Sequence, residues 1–170
     1  VVPDLVTSAK SLAAGLPLAA VTGRAELMDS VHVGGLGGTY GGNPVSAAAA
    51  LAVIELLTTG GVLEQAVRLG EQLEVGLEEL AGKHQLVGEH RGLGAMRAIE
   101  LVGDRDSRTP AAAQTTAVIR AAAERGLLLL GAGTYGNVVR ILAPLTTPPE
   151  QVEEGLAILD ECLSLAAAPA

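Results

Sequence analysis

Asp4-Leu5-Val6-Thr7-Ser8-Ala9-Lys10-Ser11-Leu12-Ala13-Ala14-Gly15-Leu16-Pro17 reads as a short apolar strand run that ends on a lone lysine, followed by a Gly-Leu-Pro break. β-Branched and apolar residues in Leu5–Thr7, and again in Leu18–Thr22, predict two strands on either side of that break. Lys10 among small and apolar neighbours has two readings. Desolvation disfavours its ammonium form and can leave a nucleophilic amine. Alternatively, a lysine at a strand end lays its stem on apolar surface and keeps its charge in water.

Working outward, Arg24–Ser30 is a candidate short helix, and a glycine-rich loop follows: Gly34-Gly35-Leu36-Gly37-Gly38-Thr39-Tyr40-Gly41-Gly42. Asn43-Pro44 predicts a helix start, with Asn as cap and Pro pre-set at the first helical position. That helix should run to Leu57 and end at Gly60-Gly61. A second helix over Val62–Ala81, closed by Gly82, follows from Leu63, Ala66, Gly70, Leu73, Leu77 and Leu80 at steps of three and four. Leu86–Glu89 and Ala95–Leu101 read as strands separated by Arg91-Gly92-Leu93-Gly94. Asp104–Arg108 is a polar loop, and Thr109-Pro110 opens a helix that stops at Gly126. Leu127–Leu130 and Val138–Leu142 form a plausible hairpin around Gly136-Asn137. Thr147-Pro148-Pro149-Glu150 fits a capping box ahead of a helix striped by Val152, Leu156, Leu159 and Leu163, with a frayed alanine-rich tail after Leu165. This order of elements predicts an α/β or α+β domain.

Composition narrows the function. The chain has 170 residues, 49% of them apolar, so a sizeable core is available. Only 11 Lys and Arg stand against 19 Asp and Glu, a net charge of −8, which argues against a nucleic-acid partner. Phe and Trp are absent, so Tyr40 and Tyr135 are the only aromatic residues and the core must be aliphatic. Cys162 is the single cysteine, which excludes an intrachain disulfide framework and fits a cytoplasmic protein. No signal peptide opens the chain, and no apolar run reaches the roughly 18 residues of a membrane span. A start at Val1-Val2-Pro3 with no initiator Met reads as a piece of something longer.

Candidate chemistry gathers at a few residues. The glycine loop is either a mobile surface segment or an anion cradle, in which close-approaching amides and the Thr39 hydroxyl hold an oxyanion or phosphate. It matches neither a P-loop nor a dinucleotide-binding fingerprint. Arg140, inside Val138-Val139-Arg140-Ile141-Leu142, is either an outward-facing arginine on a half-exposed strand or a fork that grips a carboxylate. Arg91 and Arg97 read as structural charges. His32, His84 and His90 lack metal-ligand spacing, so no metal site is expected. Cys162 reads as a small buried side chain.

Taken together, Pro3 to Ala13, Val21-Thr22-Gly23-Arg24, Gly37 to Pro44, Arg91-Gly92-Leu93-Gly94-Ala95-Met96 and Gly133-Thr134-Tyr135-Gly136-Asn137-Val138-Val139-Arg140 closely resemble the C-terminal half of a class III pyridoxal-phosphate aminotransferase. The likeness is greatest to 4-aminobutyrate aminotransferases and covers essentially the whole chain. It implies the type I pyridoxal-phosphate fold, with residues 1–57 from the large domain and 58–170 forming the small C-terminal domain. It implies Lys10 as the residue of the internal aldimine and as the proton shuttle, Thr39 as a phosphate ligand given across a homodimer interface, and Arg140 as the holder of the substrate carboxylate. Amino acids and 2-oxo acids would be the substrates, with 4-aminobutyrate, 5-aminovalerate or ornithine as donors and 2-oxoglutarate as acceptor. In such enzymes the partner of the pyridine nitrogen, the main phosphate cradle, the ring-stacking residue and a second substrate arginine lie upstream of the lysine. The isolated chain is therefore expected to turn over weakly or not at all, and the alternative is a truncated, non-catalytic dimerisation or interaction module. Leu16 departs from the Phe or Tyr usual before that proline.

Overall fold

The computed structural model describes residues 1–167. The chain folds as two compact units, Val1–Val62 and a second that begins at Leu63.

In the first unit, β1 (Leu5–Ser8) and β2 (Ala20–Gly23) form an antiparallel pair in the register Leu5↔Gly23 to Ser8↔Ala20. Between them Lys10–Ala13 makes a 3-10 turn, and α1 (Ala25–Met28) follows β2. The helix expected at Asn43-Pro44 is present as α2 (Pro44–Thr59). Asn43 Oδ1 accepts from the amides of Val45 at 2.9 Å and Ser46 at 3.4 Å, satisfying donors that the first turn leaves unpaired. Ala13, Ser46 and Ala50 are the buried residues here, so the turn that follows Lys10 lies against α2.

The second unit is a four-stranded antiparallel sheet in the order β3-β4-β6-β5, with α3 (Val62–Lys83), α4 (Ala112–Glu124) and α5 (Pro149–Ala167). The strands are β3 (Val87–Leu93), β4 (Met96–Leu101), β5 (Leu130–Ala132) and β6 (Val138–Leu142). Strand periodicity sends Val87, Ile99, Leu101 and Val139 to one face, where they bury Leu77, Leu80, Val118, Leu159 and Leu163 of the helices. The core is aliphatic, and each fully buried Leu or Ile contributes about 1.5–3 kcal/mol. Cys162 is fully buried there, and burial pushes its thiol pKa up. Met96, Leu130, Arg140 and Leu142 lie on the opposite, more exposed face.

Several boundaries differ from expectation for identifiable reasons. Gly82 does not close α3, which continues to Lys83 with the His84 amide bonded to the Leu80 carbonyl. Thr109-Pro110 does not open α4, because Pro110 pairs with Val102 in an isolated bridge and the Gly103 amide takes the Thr109 carbonyl. The hairpin forms, but its first strand starts only at Leu130: the Leu127 amide is held by the Ala122 carbonyl at the end of α4, and Leu127 and Leu129 pack on the core. No capping box forms at α5. Thr147 Oγ1 donates to the Pro144 carbonyl at 2.7 Å and the Thr147 amide donates to the same carbonyl at 3.0 Å, so the amide that Glu150 would receive is already taken. The frayed tail expected after Leu165 is helical through Ala167, and its last three residues lie outside the described residues.

The end of α3 is bound to α5 by ionic contacts. Asp160 accepts from Lys83 Nζ through one oxygen and lies 2.5 Å from His84 Nε2 through the other. Hydrogen bonds from Lys83 and then His84 hold the Asp160 carboxyl below its usual pKa. A carboxyl lowered in the folded state stabilises above the unfolded value of about 4 and loses that contribution as pH falls through the folded value. Thermal melts of Asp160→Asn should therefore lie below wild type at neutral pH and converge on it under acid. A constant offset from neutral pH to pH 3 would show that Asp160 acts only by packing.

Candidate functional site

β1 ends at Ser8, Ala9 is extended, and Lys10 opens the 3-10 turn with φ 56, a left-handed conformation that L-residues other than Gly, Asn and Asp seldom adopt. Lys10 therefore lies two residues past the strand in a kink, not at its last position. Its side chain is exposed and has no hydrogen-bond or ion-pair partner among the described residues. The antiparallel β1–β2 pair on one side and α2 on the other hold the kink.

Thr39 lies in the same unit, inside the β-turn closed by the Gly41 amide and the Gly38 carbonyl at 2.9 Å. Gly34 and Gly42, at φ 79 and 72, let the loop turn back before the Asn43 cap. Thr39 and Tyr40 are exposed, so the loop presents a hydroxyl and several backbone amides.

Arg140 lies in the second unit on β6, an interior strand, opposite Ala98 of β4 and Leu130 of β5. Val139 is fully buried on the helix side, so alternation turns Arg140 outward. The small Ala98 leaves room beside it. Arg140 has no ion-pair or hydrogen-bond partner among the described residues. Within the first unit, no such bond joins Lys10 to Thr39. An apolar pocket of about 310 Å³, lined by residues including Leu73, Ile141, Val152 and Leu156, contains none of the three.

The other arginines divide by role. Arg97 is structural: Nε donates to the Gly94 carbonyl at 2.8 Å, Nη2 to Gly70 at 3.3 Å, and the guanidinium pairs with Glu74. Arg91 shares the sheet face of Arg140 but is engaged, donating to Glu100 at 2.8 Å and pairing with Glu89 at 3.3 Å. Asn137, expected only as a turn residue, is 2% exposed and donates to the Leu101 carbonyl at 3.0 Å and to Glu100 Oε1 at 3.4 Å. Its location directly after Gly136 gave no sign of this, because its acceptors are 36 and 37 residues away. Among the described residues no cluster of three metal-ligating side chains exists, and no single helix is long and apolar enough to cross a membrane.

Known proteins share the sequence pattern and fold of this chain. Residues 1–163 match the family model described as aminotransferase class-III. The chain is 49% identical over 162 residues to the 5-aminovalerate aminotransferase DavT of Pseudomonas aeruginosa and 50% identical over 162 residues to the 4-aminobutyrate aminotransferase GabT of Escherichia coli. Each alignment covers 95% of this chain but 38% of the relative, so the chain spans under two fifths of their length. An amine transaminase from an uncultivated Pseudomonas species, solved in its pyridoxal-phosphate-bound internal aldimine form, superposes with TM-score 0.86 at 30% identity over 97% of this chain and 39% of its own. The two units thus represent part of the type I fold of such transaminases. On its sequence match and its fold, the chain belongs to the class III aminotransferases, a pyridoxal-phosphate-dependent family.

Proposed function

We propose that this chain is the lysine-bearing part of an aminotransferase that moves an amino group from an ω-amino acid, 4-aminobutyrate or 5-aminovalerate, to 2-oxoglutarate. Lys10 carries the reading: a non-glycine residue held at φ 56 with an exposed amine that has no partner among the described residues. Strain of that kind costs about 1–3 kcal/mol and collects at working sites.

The donor set fits the cofactor. An unpaired amine suits an aldehyde, a hydroxyl among loop amides suits a phosphate, and an unpaired guanidinium suits a carboxylate. When bound, pyridoxal phosphate supplies an electron sink for bonds to the substrate carbon. The Lys10 amine would hold and move a proton at Nζ as general base. Thr39 would hold the cofactor phosphate of the site in a second copy, which would make the working unit a homodimer. Arg140 orients the substrate by gripping its carboxylate through two parallel hydrogen bonds. In this reading residues 1–57 belong to the large cofactor-binding domain and 58–170 are the small domain. A cytoplasmic location, expected from the lone buried cysteine, belongs to the same proposal.

Incubation with pyridoxal phosphate, borohydride reduction and peptide mapping tests it. The expected result is a single reduced adduct on Lys10, with little turnover until an upstream half is supplied. Label spread over both lysines, Lys10 and Lys83, or absent altogether, would favour a non-catalytic interaction module instead.

A further inference from the structure

The Lys10–Ala13 turn carries a left-handed, non-glycine residue at each end. Lys10 opens it at φ 56 and Ala14 closes it at φ 50. A residue with a Cβ keeps that conformation only where its surroundings leave no alternative. The turn's own bonds are weak constraints. The Leu12 amide reaches the Ala9 carbonyl and the Ala14 amide reaches the Ser11 carbonyl, both at 3.2 Å, the long end of the normal range. Contacts outside the turn must therefore hold it. On the near side, the β1–β2 ladder fixes the chain as far as Ser8, paired with Ala20. On the far side Ala13 is fully buried, and the turn packs on α2. That helix buries Ser46 and Ala50, one turn apart on a single face and 2% and 6% exposed, while Ala47, Ala48 and Leu51 stay exposed. All three buried side chains are small, which lets the backbone of the turn approach the helix closely. The start of α2 is fixed in turn by the Asn43 cap.

We infer that Ala13, Ser46 and Ala50 are positioning residues for Lys10. Their seam holds the far end of the turn while the β1–β2 pair holds the near end, and Lys10 is kept left-handed between them. This inference rests on the role proposed for the Lys10 amine. Widening the seam moves Ala13 away from α2 and frees Lys10 to relax to negative φ, where a residue with a Cβ is more stable. Because φ sets the direction of the Cα–Cβ bond, the amine then leaves the backbone along a different line.

Lys10 and Lys83 are the only lysines, so the full chain grown with carbon-13 and nitrogen-15 lysine gives two backbone signals. Lys83, at the end of α3 in the other unit, is the internal reference. Ala50→Val should shift the Lys10 Cα resonance and its amide coupling constant while leaving those of Lys83 in place. It should also cut the borohydride-reduced pyridoxal-phosphate adduct on Lys10 about tenfold, the population factor set by the left-handed penalty. Ala48→Val makes the same change on the exposed face of α2 and should move neither quantity. Ser46→Gly opens the seam instead of overfilling it, should act in the same direction as Ala50→Val, and serves if that variant does not fold. A Lys10 signal unmoved in Ser46→Gly, or moved equally by Ala48→Val and Ala50→Val, overturns the inference. Lys10 signals that respond as expected in a wild-type chain that takes no cofactor on Lys10 overturn the proposed role of the amine and leave the seam standing.

Discussion

Gly92→Ala is expected to lower the stability of the second unit by about 3 kcal/mol, the sum of an overpacking cost and a backbone strain each worth about 1–3 kcal/mol. Gly92 lies in β3 at φ 154, where an added Cβ would overlap the Met96 carbonyl oxygen and fall 2.9 Å from Arg97 Cα. Both neighbours are backbone atoms of β4 and cannot swing aside as a side-chain tip would. Relief would require parting β3 from β4, which would also loosen the Gly92–Gly94 turn held by Arg97. Gly94→Ala is the matched control. Gly94 lies in the same turn at φ 56 with nothing within 4 Å of its Cβ, so it should lose only about 1–2 kcal/mol, the left-handed penalty. Urea melts followed by circular dichroism compare them. Equal midpoints for the two variants would show that the β3–β4 backbone approach is looser than described.

Lys10→Gly should remove the reduced cofactor adduct completely while leaving the first unit as stable as wild type or up to about 1 kcal/mol more stable. The two effects have separate origins. Chemistry depends on the amine, which no other residue of the first unit can replace, since Lys10 is its only lysine. Stability depends on the backbone at φ 56, where glycine escapes the Cβ penalty but gives back part of the gain through its freer unfolded chain. Lys10→Ala should lose the adduct equally with no gain in stability, because alanine keeps the Cβ. Mapping the borohydride product gives the first quantity and amide hydrogen exchange in β1 and α2 gives the second. A Lys10→Gly chain less stable than Lys10→Ala would show that the left-handed turn carries no strain.

Local chemistry announced much of the fold. Asn43-Pro44 signalled the start of α2, because a capping side chain and a pre-set φ act over only three residues. Gly126, at φ 86, signalled the end of α4 for the same reason. The failures lie where a distant partner intervened. Pro110 joins Val102 in a bridge, and Thr147 turns back to Pro144, so neither serves the helix beside it. Lys10, Thr39 and Arg140 stood out in the sequence because an isolated amine, a glycine-bounded hydroxyl and a cation in an apolar run are all local anomalies. Their lack of partners could not be read there, since pairing depends on register.

The order of elements, the aliphatic core and the choice of candidate side chains follow from the sequence by itself, because propensity, capping and apolar period are short-range effects. Tertiary structure alone decided that Arg91 rather than Arg140 takes Glu100, and that Asn137 reaches across to β4. Those choices depend on the antiparallel register of β4 with β3, its neighbour in sequence, and with β6, dozens of residues away, where a shift of one residue would turn every side chain to the opposite face.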